Sequence, residues 1–189
     1  TSVDASSEIH ADGLQTGDGG QVVVFSLGET RVNGLLSVRG GPLGGNGGAV
    51  ETSGSWLEVS KAPDLSASFG HAGQWLIDPY DITISTAASF DITSASIFSP
   101  TGTLSNLNVL TLNAALDQGG TVVLTTTGGG GSEAGNITID APISTTPLTA
   151  ATLQLYADSN INLNQSITSS GNKLDVLFVT NQGGSSALT

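Results

Sequence analysis

The chain has 189 residues, 38% of them hydrophobic, and carries 4 Lys+Arg against 16 Asp+Glu for a formal net charge of -12. That balance excludes nucleic acid and anionic membrane surfaces as partners, because both are held by clustered Lys and Arg that displace counterions. The absence of Cys removes disulfides, thiolate metal sites and cysteine nucleophiles together, and no apolar run approaches the ~20 residues of a membrane-spanning helix.

Small alternating apolar sets follow one another along the chain: Val22/Val24, Val50, Leu57/Val59, Leu76, Ile82/Ile84, Val122/Leu124, Ile137/Ile139, Leu153/Leu155, Ile161/Leu163, Leu174/Val176 and Phe178. A period of two over a few residues is a strand signal, and no stretch sustains a helical period, so every element is expected to be β. Asp12-Gly13, Asn33-Gly34 and Asn46-Gly47 suit the hairpin turns of a sandwich or barrel. Similar phrases nevertheless recur at roughly 15 to 28 residues, which is solenoid spacing. Asn136-Ile-Thr-Ile-Asp-Ala-Pro-Ile and Asn160-Ile-Asn-Leu-Asn-Gln-Ser-Ile repeat one phrase: two alternating apolar residues, a polar corner, then the Ile of the next short strand.

The expected fold is all-β, a right-handed parallel β-helix (β-solenoid) with inward columns of Val, Ile, Leu and Ala and ladders of Asn, Ser and Thr at its corners. Gly40–Gly48 and Gly128–Gly131 read as protruding Gly-rich loops, since strand patterning resumes on both sides. The chain reads as one segment, 1–189, with Gly-rich repeat coils over 1–84 and further coils over 85–189. With no Met anywhere, it is expected to be a processed chain, a fragment or part of something larger. Thr1-Ser-Val-Asp does not read as a signal peptide.

The order of the phrases over Gly19–Ile84 resembles the repeat region of filamentous-haemagglutinin-type exoproteins, exported by two-partner secretion. The matching positions are Gly19, Gly20, Val22 and Ser26; Thr30 and Gly34; Arg39, Gly40 and Gly41; Gly44, Gly45, Gly47, Gly48, Val50, Glu51, Ser53 and Gly54; and Leu76, Asp78, Pro79, Ile82 and Ile84. Leu116-Asp-Gln-Gly-Gly-Thr-Val-Val-Leu, Gly135-Asn-Ile-Thr-Ile-Asp and Thr152-Leu-Gln-Leu-Tyr-Ala extend the likeness more weakly. The resemblance implies an adhesin-like segment at the bacterial cell surface or outside the cell. Its implied partners are host or neighbouring-cell glycans or proteins, with an outer-membrane transporter for the parent protein. The Asn-Pro-containing export motifs of such proteins are missing, which implies a piece of the rod rather than the export signal.

Candidate chemistry is sparse. A polysaccharide lyase on this fold would need Ca²⁺-binding carboxylates and a basic residue. The nearest acidic grouping, Asp64, Asp78 and Asp81, is split by loops and by Pro79, and the basic candidates are only Arg31, Arg39, Lys61 and Lys173. Asp78-Pro79-Tyr80-Asp81 reads as a turn in which Asp accepts from backbone N–H groups before the strand Ile82–Ile84. His10 and His71 read as exposed loop residues, and Ser53-Gly54-Ser55 has no partner histidine in sequence. Gly44-Gly-Asn-Gly-Gly lacks the Lys of a phosphate loop. Trp56, Trp75, Tyr80, Tyr156, Phe69, Phe90 and Phe98 form either a sugar-stacking platform or interior filler. The sequons at Asn136 and Asn164 read as ladder asparagines or as glycosylation sites.

No catalytic, metal or cofactor residue is assigned. Three readings stay open: a non-enzymatic adhesive rod, a self-assembling filament subunit, and a lyase-like β-helix.

Overall fold

The computed structural model describes residues 1–88, 105–126 and 134–181. The expected loop Gly128–Gly131 and the aromatics Phe90 and Phe98 lie outside these residues. The chain winds into a parallel β-solenoid of about six turns.

The first face stacks β1 (Ser2–Val3), β4 (Glu29–Val32), β7 (Trp56–Val59), β10 (Ser105–Asn108), β9 (Ile82–Ser85), β12 (Ile137–Ile139) and β15 (Ile161–Leu163), in that spatial order. A second face stacks β3 (Gln21–Phe25), β6 (Ala49–Ser53), β8 (Gln74–Asp78), β11 (Gly120–Thr125), β14 (Ala151–Ala157) and β17 (Leu174–Thr180). On the third face β2 (Glu8–His10) pairs with β5 (Leu35–Ser37), and β13 (Ile143–Thr145) with β16 (Ile167–Ser169). Each of these strand pairs is parallel. The Asn-Gly and Asp-Gly pairs therefore sit at corners and join no hairpins.

Register turns the alternation into columns. On the second face Val22, Val50, Trp75, Val122, Leu153 and Val176 stack one above another, beside Val24, Thr52, Ile77, Leu124, Leu155 and Phe178. On the first face the column is Val3, Val32, Val59, Leu107, Ile84, Ile139 and Leu163. A parallel sheet rises ~4.8 Å per strand, so each side chain lies in contact with the equivalent one of the next coil. One expected position is reversed: Leu76 points outward, and Trp75 and Ile77 fill the core. Alternation alone leaves the phase open, and burying an indole outweighs burying one Leu.

Two features depart from the all-β expectation. β10 follows β9 in sequence yet lies between β7 and β9 in the sheet. The first face thus gains a seventh strand opposite six. After β10 comes a helix, α1 (Val109–Asp117), which takes the place of a third-face strand. Asn108 caps it by accepting from Leu110 N–H at 2.8 Å, and Gly119 ends it at φ 84° with its N–H on the Leu116 carbonyl. Val109, Leu112, Ala115 and Leu116 face the core.

A helix cannot hydrogen-bond a strand rung on either side of it. Side chains at its C-terminus supply the missing groups. Gln118 accepts from Leu65 N–H at 2.8 Å through Oε1 and donates from Nε2 to the Pro63 carbonyl at 3.0 Å, imitating a peptide unit of the coil. Asp117 does the same toward the next coil, accepting from Thr145 Oγ1 and Thr146 N–H, each at 2.5 Å. Gln118→Ala strands one backbone donor and one acceptor in a half-buried site. We expect a loss of ~2 kcal/mol in denaturant unfolding, with faster hydrogen exchange at the Leu65 amide.

Candidate functional site

The Gly-rich corners between the third and second faces are the surfaces most apt to touch a partner. Their glycines are dictated by proximity. Gly20, Gly48 and Gly73 stack, one per coil, immediately before the second-face strands, and Gly120 continues the stack as the first residue of β11. Ala49 N–H donates to the Gly20 carbonyl at 3.0 Å, Gln74 N–H to Gly48 at 2.9 Å and Thr121 N–H to Gly73 at 3.1 Å. A Cβ on Gly48 would overlap the Gly20 carbonyl oxygen, and one on Gly73 the Gly48 carbonyl oxygen. Outside this spine, Gly41 N–H donates to the Gly17 carbonyl at 2.9 Å and Leu43 N–H to Gln15 at 2.7 Å. The segment Gly40–Gly48 is therefore packed on the 13–20 corner. Only the tips stand clear: Leu14 is 83% exposed, Leu43 65% and Phe69 75%.

Beneath the tips runs a charged ladder. Asp12 takes the Arg39 guanidinium (Nη2 at 2.8 Å), the Arg39 N–H at 2.9 Å and the Ser37 hydroxyl at 2.5 Å, and Arg39 also lies 3.8 Å from Asp64. Burial alone would raise the Asp12 pKa, but the hydrogen bonds from Arg39, Ser37 and His10 outweigh it and hold the carboxyl well below the usual range. His10 is not a loop residue. It ends β2 with its ring nitrogens 3.0 Å from Glu8 and 3.2 Å from Asp12, and those two bonds raise its pKa. A second ladder crosses the same corner, where Asp18 accepts from Asn46 N–H at 2.7 Å and Asn46 Oδ1 from His71 N–H at 2.9 Å. Side-chain ladders also run between Asn136 and Asn160 and between Asp140 and Asn164 at the corners, and between Thr138 and Asn162 on the outside of β12 and β15, each pair 24 residues apart. Both sequon asparagines, Asn136 and Asn164, take part in them.

Of the candidate catalytic groups, Arg39 and Asp64 come within 3.8 Å of each other, and the others are held in separate contacts. Asp64 binds Ser66 beside Arg39, and Asp81 accepts from Asn136 N–H at 2.6 Å. Asp78 ends β8 with a buried Oδ1 that has no hydrogen-bond partner. The turn at Asp78–Asp81 is as expected, but Asp81, not Asp78, is the residue that accepts a backbone N–H. Arg31 pairs with Glu29 and lies 5.3 Å over the Trp56 ring. Lys61 donates to the Ala5 carbonyl at 3.2 Å, and Lys173 pairs with Asp175 at 2.8 Å. Among the described residues no group of three or more His, Asp or Glu is placed to hold a metal ion, and no helix is long and apolar enough to cross a membrane.

The aromatics are likewise divided. Trp75 is fully buried and donates from Nε1 to Thr52 Oγ1 at 3.1 Å. Trp56 and Tyr156 are half-buried on the outside of different faces, and Phe69 caps a corner loop.

Burial, and then the neighbouring charge of Glu51, raise the Asp78 pKa to about 6. In the unfolded chain the group titrates near 3.8, so folding is penalised once it ionises, and the penalty grows as pH rises from about 4 to 6. Undiscounted, such a shift is worth ~3 kcal/mol. Water reaches part of the carboxyl, so we expect ~1–2 kcal/mol. Asp78→Asn should therefore stabilise the protein by that amount at pH 7.5 and by almost nothing at pH 4, as read from thermal unfolding at the two pH values.

Sequence signals for these arrangements were uneven. The glycine pairs marked the corners, and the repeated Asn phrase marked the ladders. Nothing in the sequence paired Asp12 with Arg39 across 27 residues. Neither protein-family models nor curated protein sequences give a match to this chain.

Proposed function

We propose that the chain is a non-enzymatic structural and adhesive segment of a bacterial cell-surface or secreted fibrous protein of the filamentous-haemagglutinin type. In this reading a stiff β-helical rod holds contact surfaces away from the cell, and an outer-membrane transporter exports the parent protein. The observation that carries the reading is the set of in-register columns running from the first coil to the last. Each coil is bonded to the next by parallel backbone ladders on its faces. Bending such a body must stretch many hydrogen bonds and open a close-packed core at once.

Two features suit an extracellular setting: a one-sided negative charge that keeps the rod soluble, and a composition rich in Ser, Thr and Asn. The corner tips Leu14, Leu43 and Phe69 supply exposed apolar contact points for a host or neighbouring-cell glycan or protein. The test is saturable binding of the purified chain to glycan arrays and to cell surfaces, repeated with Leu14→Ser, Leu43→Ser and Phe69→Ser combined. Binding that drops at least tenfold in the triple variant supports adhesion through the corner tips. No saturable binding of the parent chain to either panel overturns the adhesive role.

A further inference from the structure

Asp78-Pro79 is the one Asp-Pro bond in the chain, and it falls at the end of β8, between the strands of two neighbouring coils. Such a bond carries its own nucleophile, because the Asp carboxyl closes a five-membered ring when it attacks its own main-chain carbonyl carbon. Proline lacks the N–H through which an Asp side chain elsewhere cyclises onto the next residue, so attack on the carbonyl is the route left. We propose that the folded chain cuts itself between Asp78 and Pro79 in mildly acidic surroundings, with the Asp78 carboxyl as the nucleophile. This activity goes beyond the rod reading and does not depend on it.

Three observations locate the reaction. First, Asp78 Oδ1 is shut off from water and has no hydrogen-bond partner among the described residues. Ser53 stands opposite Asp78 in register, but its hydroxyl donates to Glu51 Oε1 at 2.7 Å. No donor therefore blunts this oxygen or ties it to a neighbouring strand. Second, the carbonyl under attack is fixed from the adjacent coil, where Gly54 N–H donates to the Asp78 carbonyl oxygen at 3.2 Å. That bond strengthens as negative charge builds on the oxygen. Third, the departing nitrogen needs a proton, and a neutral carboxyl brings one with it. On the two strands beside β8, β6 presents Glu51 and β11 presents no titratable group, while the turn adds Tyr80 and Asp81. Asp81 is engaged by Asn136 N–H at 2.6 Å. With no cation on these elements, burial and then the Glu51 charge keep Asp78 neutral up to about pH 6.

In the step itself a carboxyl oxygen of Asp78 bonds to the Asp78 main-chain carbonyl carbon. The C–N bond to Pro79 breaks, and the carboxyl proton passes to the Pro79 nitrogen. The resulting cyclic anhydride takes up one water and opens to two carboxyl groups on Asp78. Held in one residue, nucleophile and carbonyl need no encounter. The two pieces stay laddered together afterwards, β7 to β10 and β8 to β11.

The test is incubation of the purified chain at pH 5 and pH 7.5, native and in urea, with mass spectrometry of the pieces 1–78 and 79–189. At pH 5 the neutral carboxyl is at least about tenfold more abundant in the folded chain, where it titrates near 6, than in urea, where it titrates near 3.8. Native cleavage at pH 5 should therefore exceed, by at least about tenfold, both cleavage in urea at pH 5 and native cleavage at pH 7.5. Hydroxylamine present at pH 5 should leave the 1–78 piece ending in a hydroxamate, the mark of an anhydride that a contaminating protease does not leave. Asp78→Asn, with unchanged circular dichroism, should abolish the cut. A native chain that stays whole at pH 5, a native rate no higher than that in urea, a 1–78 piece without hydroxamate, or pieces that persist in Asp78→Asn would each overturn the proposal.

Discussion

Gly48→Ala is expected to lower the free energy of unfolding by ~3 kcal/mol, the upper part of the range for forcing extra volume into a packed site. The added methyl group meets the backbone of the neighbouring coil: it overlaps the Gly20 carbonyl oxygen, lies 2.7 Å from the Gly19 carbonyl carbon, and has no flexible side chain to push aside. Relief requires the 19–20 corner to move away from its neighbour. That lengthens the bond from Ala49 N–H to the Gly20 carbonyl and disturbs the start of β3 and β6 together. Gly28→Ala is the control, since a Cβ there meets nothing closer than Ser26 Oγ at 3.9 Å. It should be neutral or slightly stabilising, because Ala restricts the unfolded chain. Urea unfolding of the pair decides the matter. Equal stabilities would show that the glycine spine is not a close backbone contact.

Trp75→Ala is the second large effect, at ~3–5 kcal/mol for the loss of a fully buried aromatic side chain. Its column explains the size of the loss. Trp75 stands between Val50 and Val122, and these smaller residues give the indole its room. Removing it leaves a void that two valines on fixed strands cannot close. Thr52 Oγ1 also loses the indole N–H as a partner. Trp75→Phe keeps most of the volume and loses that bond, so it should cost ~1–2 kcal/mol. Because coils contact only their neighbours, hydrogen exchange should accelerate first in β6, β8 and β11, with β14 and β17 following less. A uniform increase along the rod would contradict column-wise packing.

On the proposed reading of the chain as a rod segment, both results bear on function through stiffness. A rod built from nearest-neighbour contacts is as strong as its weakest interface. The interface around α1 is the irregular one, where the backbone ladder of the third face is replaced by the side chains of Asp117 and Gln118. Gln118→Ala therefore probes the place where a pulled rod should open first.

The sequence by itself determined the architecture. Alternating Val, Ile and Leu over short stretches can bury only one side of a strand, and repeated Gly-Gly corners and Asn phrases at coil-like spacing leave a stacked solenoid as the way to cover that side. The glycine pairs, the Asn136/Asn160 ladder and the strand Ile82–Ile84 were all legible for this reason: each is a local pattern whose partner is the same pattern one coil away.

Tertiary structure decided what depends on neighbours that are not local. Whether Trp75 or Leu76 turns inward is a choice of phase that the alternation Gln74-Trp-Leu-Ile-Asp leaves open, and the space between Val50 and Val122 settles it. The nine residues of α1 are too few for a periodic signal to outweigh strand patterning on both sides. Their helix exists because Leu112, Ala115 and Leu116 find the core beneath them. β10 lies between β7 and β9 in the sheet, and no sequence period encodes an order that reverses the chain. The pairing of Asp12 with Arg39 and the unpartnered burial of Asp78 likewise arise only when the coils stack, because electrostatic environment is set by distance in space and not by spacing along the chain.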